Sequence, residues 1–108
     1  MSKRKHRRGG SRRKDFQLCA QVREALNLAL ASSNEEVLAS AWVREVRPAP
    51  SIARLLAVVE VDEENTQGAQ QALEVAKGYL RAEVAQAIHR RHTPDVVFCV
   101  VTPGQPLP

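Results

Sequence analysis

Aromatic side chains are scarce in this sequence of 108 residues, where Phe, Trp and Tyr together make up 4%. A surface that stacks successive nucleic-acid bases needs several exposed rings, so this scarcity argues against such a platform. Cysteine is also rare, since Cys19 and Cys99 are too few for a disulfide-stapled secreted fold. No apolar run approaches the length that spans a bilayer, and the basic N-terminus lacks the apolar segment of a secretory signal. The sequence therefore predicts a soluble cytoplasmic protein with reduced thiols.

Motifs that carry catalysis are missing as well. The sequence has neither a phosphate-cradling P-loop nor the Gly-x-Ser-x-Gly turn of a nucleophilic serine. Cys99 stands in an apolar run, where a reactive thiolate is disfavoured, and the acids of residues 60–64 are typical of a solvated loop. We therefore expect no enzymatic activity, no cofactor and no small-molecule substrate.

A Cys2His2 zinc site would have to draw on Cys19, Cys99, His89 and His92. The two histidines have a helical spacing of three, but the cysteines lie eighty positions apart and form no Cys-x-x-Cys pair. Free cysteine is a common core residue. The sequence therefore predicts no metal site.

Positive charge is concentrated at the start of the chain. Residues 1–14 contain eight cations and no acid, whereas the rest of the chain carries eight cations against all 12 acids, a net charge of −4. A cationic run of this kind stays solvated and disordered until a polyanion neutralises it. The eight cations are Lys3, Arg4, Lys5, Arg7, Arg8, Arg12, Arg13 and Lys14.

Hydrophobic periodicity predicts a helix and then a hairpin in the first half of the chain. Apolar residues recur at helical spacing between Asp15, a possible N-cap, and Ser32. Two strands are predicted over Val37–Val46 and Ile52–Val61. The proline-rich stretch Pro48–Ser51 between them cannot extend a sheet ladder and therefore predicts an antiparallel hairpin.

A helix pair and a last strand are predicted in the second half. Thr66 can cap a helical stripe that continues to about His92 and passes through Gly78. Glycine inside a helix costs about 1 kcal/mol against alanine, so we expect a kink between two helices there. An apolar strand follows over Val96–Val101, which makes the order α-β-β-α-α-β.

This order, together with two short motifs, resembles the ribosome-binding factor A family. The stretch Ala72–Arg81 is the most similar part, and the family's Ala-x-Gly kink is matched by Ala76, Lys77 and Gly78. The exit through Arg91–Asp95 into an apolar strand also matches. Where the family commonly has a basic segment after its first helix, this chain has an acidic one.

The resemblance implies an α+β fold of the type II KH-like class, with a three-stranded sheet and helices packed on one face. It further implies a monomer that binds the small (30S) ribosomal subunit during late maturation of its 16S rRNA, without catalysis, and leaves when the subunit is mature. We expect a basic tail at residues 1–14, a KH-like domain at residues 15–102 and a C-terminal tail at residues 103–108.

The residues expected to contact rRNA are the eight tail cations, Lys77 and Arg81 beside the kink, and Arg90 and Arg91 at the end of the last helix. Each cation placed near a phosphate releases a counterion, which gives affinity that is sensitive to salt but blind to sequence. Cations in a last helical turn can equally complement the helix dipole, and that interpretation stays open for Arg90 and Arg91.

Other charged and aromatic residues have ordinary structural interpretations. Arg44, Arg47 and Arg54 in the hairpin are expected on a solvated face, and Trp42 is expected in the core. A different class of function also remains open, because the acidic body suits a protein-interaction adaptor in which the basic tail is incidental. A generic single-strand RNA binder is disfavoured by the missing Gly-x-x-Gly loop and the scarce aromatics.

Overall fold

The computed structural model describes the backbone of residues 2–108 and the side chains from Arg13 onward. Within this part the elements are α1 Ser2–Ala31, α2 Glu36–Ala39, β1 Trp42–Pro48, β2 Arg54–Glu60, a 3-10 turn Glu63–Asn65, α3 Thr66–Val75, α4 Lys77–Ile88 and β3 Asp95–Val101. The predicted order α-β-β-α-α-β is confirmed, with α2 as an additional short turn of helix.

The three strands form one sheet in the order β1-β2-β3. β1 and β2 are antiparallel and pair Trp42 with Glu60, which confirms the predicted hairpin. β3 runs parallel to β2, with Asp95 opposite Arg54. Parallel neighbours need a long crossover connection, and α3 and α4 supply it. α3 and α4 therefore form the crossover connection from β2 to β3.

One apolar core is shared by the helices and the sheet. Alternate residues of β2, namely Leu55, Ala57 and Val59, are fully buried in it, as the strand period of two requires. Leu73 and Leu80 bring α3 and α4 into the same core. The α+β architecture expected from the sequence is thereby confirmed. None of the described helices combines the length and the apolar character that a membrane crossing requires.

The first helix buries the face that its periodicity predicts. Leu18 and Val22 begin the packed stretch, whereas Phe16, just before them, is exposed. The helix ends at Ala31, where the Ser32 hydroxyl donates to the carbonyl oxygen of Leu28 at 3.0 Å. α1 begins at Ser2 and not at the expected position near Asp15. Lysine and arginine, which are frequent in residues 2–14, are good helix formers.

Asp15 consequently lies inside α1 and does not cap it. The predicted division between a basic tail at residues 1–14 and a domain at residues 15–102 coincides with no break in this helix. Side chains 1–12 lie outside the described residues. The tail therefore stays a prediction, and its support is the charge distribution of the sequence.

Two other boundaries correct the sequence analysis. The strand expected over Val37–Val46 begins only at Trp42, because residues 36–39 form α2. Leu38 and Ala41 are both buried, and their spacing of three suits a helical turn as well as an irregular strand. Thr66 is the first residue of α3 and not its cap, and its hydroxyl donates to the Glu63 carbonyl oxygen at 2.8 Å.

The break between α3 and α4 falls at Ala76, two residues before the glycine that marked it in the sequence. Ala76 has φ −85° and ψ 0°, outside the helical range of its neighbours. The backbone hydrogen bonds continue around it, from Ala76 N–H to Ala72 and from Leu80 N–H to Ala76, each 2.9 Å. Gly78 itself lies in the first turn of α4. The predicted interruption of the helix is confirmed, but Gly78 is not the residue that departs from helical geometry.

Gly78→Ala is expected to raise the free energy of unfolding by about 0.5–1 kcal/mol, the usual gain of alanine over glycine in a helix. A Cβ atom at Gly78 meets nothing within 4 Å, and the residue does not have a positive φ. Urea unfolding of both forms measures the change. A loss of stability in the alanine variant would show that the glycine is required for the break.

Candidate nucleic-acid interface

A shallow groove runs between the outer face of α4 and the loop that leads into β3. It has a volume of about 540 Å³ and carries the positive charge of two arginines. We call it the basic groove, and its lining residues are Gly78, Arg81, Ala82, Ala85, Arg91, His92 and Thr93. Lys77, the first residue of α4, lies one residue before this lining.

Two polar contacts hold the α4 side of the basic groove against the loop. Arg81 Nη2 donates to the carbonyl oxygen of Thr93 at 3.3 Å, and Lys77 Nζ lies 3.9 Å from Asp95 Oδ1. The two side chains lie one helical turn apart and remain open to solvent. An exposed ion pair of this kind contributes little to stability. Among the described residues Arg81 uses one N–H donor in this contact, so its others are available to an anion, and contact of this pair with rRNA stays a prediction.

The basic cluster His89–His92, expected at the end of the last helix, lies after the helix in the structure. α4 ends at Ile88, because His89 adopts a left-handed conformation with φ 48°. Arg90, Arg91 and His92 therefore follow the helix and do not occupy its last turn, so the predicted helix end near His92 is wrong. The interpretation of Arg90 and Arg91 as cations within a last helical turn is excluded for the same reason.

Arg90 and Arg91 lie on different surfaces. Arg91 lines the basic groove, whereas Arg90 lines a second depression of about 380 Å³ together with Lys14. This depression also holds Asp15 and lies between the early part of α1 and the last turn of α4. It is the place where the basic N-terminal segment meets the domain.

Only the last two tail cations have described side chains. Arg13 and Lys14 are both exposed on α1, and Lys14 faces the depression that contains Arg90. Lys3, Arg4, Lys5, Arg7, Arg8 and Arg12 lie outside the described side chains. Their contact with RNA stays a prediction.

Two of the three hairpin arginines contact partners inside the protein, and the third, Arg54, is exposed at the start of β2. Arg44 Nε lies 3.5 Å from Glu60 Oε1, and its Nη1 donates to the Gln105 carbonyl oxygen at 3.0 Å. Arg47 pairs with Glu45 at 3.2 Å and also donates to the Pro108 carbonyl oxygen. These contacts lay the predicted C-terminal tail along β1 and agree with a structural role on a solvated face.

Trp42 is not in the core, contrary to the expectation from the sequence. It opens the edge strand β1, is 51% exposed, and has the guanidinium carbon of Arg23 at 5.8 Å from the centre of its ring. Arg23 is held there because its Nε donates to the Val43 carbonyl oxygen at 3.3 Å. Asn27 also binds Val43, since its Oδ1 accepts from the Val43 N–H at 2.7 Å. Sequence reasoning missed this pair because nothing in the local pattern places Arg23 beside Trp42.

The cysteines and histidines do not form a reactive or metal-binding group in the described part of the chain. Burial raises the pKa of the Cys19 thiol, and the nearby negative charge of Asp15 raises it further. The thiolate is therefore disfavoured at neutral pH. Among the described residues, no three His, Cys, Asp or Glu side chains are placed to hold one metal ion.

Comparison with known proteins gives a clear result for structure alone. No protein-family model and no curated protein matches the sequence. The crystal structure of ribosome-binding factor A from Thermus thermophilus matches with a TM-score of 0.72 and 28% identity, over 80% of this chain and 93% of that chain. The chain therefore resembles the ribosome-binding factor A family in fold and in sequence over most of its length.

Two further structures extend the comparison. A Thermus thermophilus ribosome-binding factor A homology model, fitted into a cryo-EM map of a 30S complex with that factor, matches with a TM-score of 0.61 and 28% identity, over 75% of this chain and 88% of that chain. The solution structure of a putative ribosome-binding factor A from Thermotoga maritima has a TM-score of 0.65 at 16% identity, over 80% and 85% of the two chains. The Thermotoga match shows the fold, and the KH-like architecture of the family is that of this chain.

Proposed function

We propose that this protein binds the small ribosomal subunit and contacts its 16S rRNA during late maturation, without catalysis. The observation that carries the proposal is the Thermus family member, which is 28% identical and was fitted into the map of a 30S complex. The basic groove beside the helix break supplies a surface of suitable charge for the contact.

The proposed mechanism is recognition of shape combined with neutralisation of phosphates. Lys77, Arg81 and Arg91 present their charges along one side of α4 and its following loop. Arginine guanidinium groups match phosphate oxygens in a fork, and lysine acts as a point charge. The buried Leu80 fixes α4, from which Lys77 and Arg81 extend, to the core. No step in this binding requires a turnover or a cofactor.

The triple variant Lys77→Gln, Arg81→Gln, Arg91→Gln is expected to weaken binding to purified 30S subunits about 10- to 100-fold, because roughly three released counterions are lost. Co-sedimentation over a series of salt concentrations measures both the affinity and its salt slope. We expect the slope to fall by about 2 to 3, at roughly 0.7–0.9 for each lost phosphate contact.

A matched control comes from the hairpin. Arg44→Gln, Arg47→Gln, Arg54→Gln changes the net charge by the same amount, but it alters residues that contact other parts of the protein or lie on the exposed end of β2. We expect this variant to retain most of its 30S affinity. Equal losses in the two triples would contradict a specific role for the basic groove and would leave only a general effect of charge.

The acidic character of residues 15–108 favours a second function, that of a protein adaptor whose basic tail is incidental. A tagged protein captured from lysate separates the two functions. The ribosomal association of an rRNA binder is lost after ribonuclease treatment, whereas an adaptor keeps its protein partner.

A further inference from the structure

Two segments of this chain carry acids and no cations. Residues 24–43 and residues 55–76 contain no lysine, arginine or histidine, although they make up much of the domain. They carry eight of the 12 acids of the chain. These acids are Glu24, Glu35, Glu36, Glu60, Asp62, Glu63, Glu64 and Glu74.

The fold brings these two segments together. α2 packs against both α3 and the end of α1, and the 3-10 turn Glu63–Asn65 lies next to the start of α3. Apart from Glu60, which pairs with Arg44, none of the eight acids has an ion-pair partner among the described side chains. Six of the eight acids, all except Glu24 and Glu60, therefore lie on or beside α2, the 3-10 turn and α3, which contact one another, and the basic groove lies beyond the helix break.

An open cleft of about 600 Å³ lies between the α1–α2 connection and α3. Its apolar wall includes the buried Leu38, the half-buried Ala72 and Ala76, and Val75, which is 82% exposed. Its remaining lining carries one acid, Glu35, and is otherwise uncharged, from Ser33, Asn34, Gly68 and Gln71; Glu36 and Glu74 adjoin lining residues in the sequence. We call this the acidic cleft.

The ammonium group of the cation closest in sequence to the acidic cleft lies beside the start of β3 and not among the lining residues of the cleft. Lys77 directly follows the lining residue Ala76, but its ammonium nitrogen lies 3.9 Å from the Asp95 carboxylate. Among the described residues, the acidic cleft therefore combines an apolar contact surface with negative charge that is not neutralised locally. An exposed valine beside a carboxylate is the arrangement expected of a surface that a partner covers.

We propose that the acidic cleft docks a lysine- or arginine-rich protein segment, with one apolar side chain of that segment packed against Val75. The inference rests on the proposed function, because proteins that share an RNA target carry segments of this composition. Bound in this way, the protein would contact rRNA through the basic groove and a basic protein through the acidic cleft.

Charge decides between the possible occupants. A nucleic acid is disfavoured, since its phosphates would face Glu35 and the neighbouring Glu36 and Glu74. A symmetric contact between two copies would place the same carboxylates opposite each other, which is also unfavourable. The protein's own basic tail is also disfavoured as the occupant. Lys14 lies near Ile88, and the 19 residues from Lys14 to Ser33 correspond to about 28 Å at the helical rise of 1.5 Å per residue. A basic segment of another protein is the occupant that fits.

The probe for the test is a capped seven-residue peptide with one central leucine flanked by three lysines on each side. Titration into the full-length, isotopically labelled protein is followed by amide chemical shifts, and isothermal calorimetry gives the affinity. We expect shifts concentrated at Leu38, Gly68, Ala72, Val75 and Ala76. A peptide with serine in place of leucine tests the apolar contact, and a glutamate version tests the charge; both are expected to bind more weakly.

Val75→Ser is expected to weaken binding of the lysine peptide about fivefold, because an apolar side chain that the peptide would cover is lost. Leu107→Ser is the matched control, since Leu107 is also exposed and lies outside the acidic cleft. Glu35→Gln and Glu74→Gln together are expected to lower affinity and reduce its salt dependence. Glu83→Gln, on α4, is the charge control and is expected to change neither.

Three results would overturn the proposal. The first is peptide affinity unchanged in Val75→Ser, and the second is a set of shifts located at Lys77, Arg81 and Arg91. The third is occupation of the acidic cleft by another copy, seen as concentration-dependent shifts without peptide and as a dimer in light scattering.

The 30S affinity of Val75→Ser and of the basic-groove triple is measured in parallel. If both the basic-groove triple and a tail deletion keep full 30S binding, the proposed function is contradicted. The peptide result alone decides the proposal for the acidic cleft.

Discussion

Deleting residues 3–14 is expected to remove most of the salt dependence of RNA binding. The deletion removes eight of the 16 lysines and arginines and no acid, so it changes the net charge of the chain from +4 to −4. Each phosphate contact contributes roughly 0.7–0.9 to the slope of log affinity against log salt. If most of the eight cations reach phosphates, the slope falls by about 5, and affinity at low salt falls by several orders of magnitude.

The control for this deletion separates charge from length and order. A variant with the eight cations changed to glutamine keeps the length and is expected to behave like the deletion. A variant with residues 3–14 in scrambled order keeps the charge and is expected to bind like the original, because contacts with phosphates carry no sequence information. An unchanged salt slope after deletion would assign the electrostatic contact to the basic groove alone.

The position of Lys14 explains how the tail and the domain would act on one RNA. Lys14 shares a depression with Arg90, directly after the end of α4, and Arg91 next to it lines the basic groove. The charge of Lys14 therefore lies beside that of Arg90, and the adjacent Arg91 carries charge on the separate surface of the basic groove. Arg90 occupies the junction, so its contribution is expected to depend on the tail, whereas that of Arg91 is expected to persist without it.

Periodicity was sufficient to predict the elements whose apolar residues are all buried on one side. The stripe of α1 from Leu18 onward follows helical spacing, and β3 was predicted from a continuous run of apolar residues that follows a proline. The element order came from the pattern and the hairpin from the short connection, whereas the parallel pairing of β2 and β3 was not predicted and is seen only in the structure.

The failures share a physical cause, which is that short segments take their structure from distant partners. Val37–Ala41 is apolar enough for a strand, but the segment forms α2 and packs on α3. Trp42 was expected in the core because a lone aromatic residue is usually buried. Its exposure depends on Arg23, nineteen residues earlier, and on the edge position of β1.

In the candidate site, Lys77 and Arg81 could be predicted from their spacing, but the separation of Arg90 from Arg91 depends on the left-handed turn at His89.

The same distinction applies to the helix break, where the sequence pointed to Gly78 and the structure places the irregular residue at Ala76. Leu73 and Leu80 lie on either side of this break and are 0% and 1% exposed, so both helices are fixed to the core close to it. Gly78 has open space around its α-carbon and fixes nothing. We infer that packing of the two leucines holds the helices in their relative orientation, and that glycine makes no necessary contribution.

Leu73→Ala and Leu80→Ala are therefore each expected to lower the free energy of unfolding by about 2–5 kcal/mol, the cost of removing a buried leucine and leaving a cavity. A small domain has about 5–15 kcal/mol in total, so either change removes a large fraction of its stability. Urea unfolding measures the loss, and 30S binding is then measured where each variant is still folded. Val75→Ala, on the exposed side of α3, is the control and is expected to stay within about 0.5 kcal/mol. A cost below about 1 kcal/mol at Leu80, together with a large loss in Gly78→Ala, would return the structural role to the glycine.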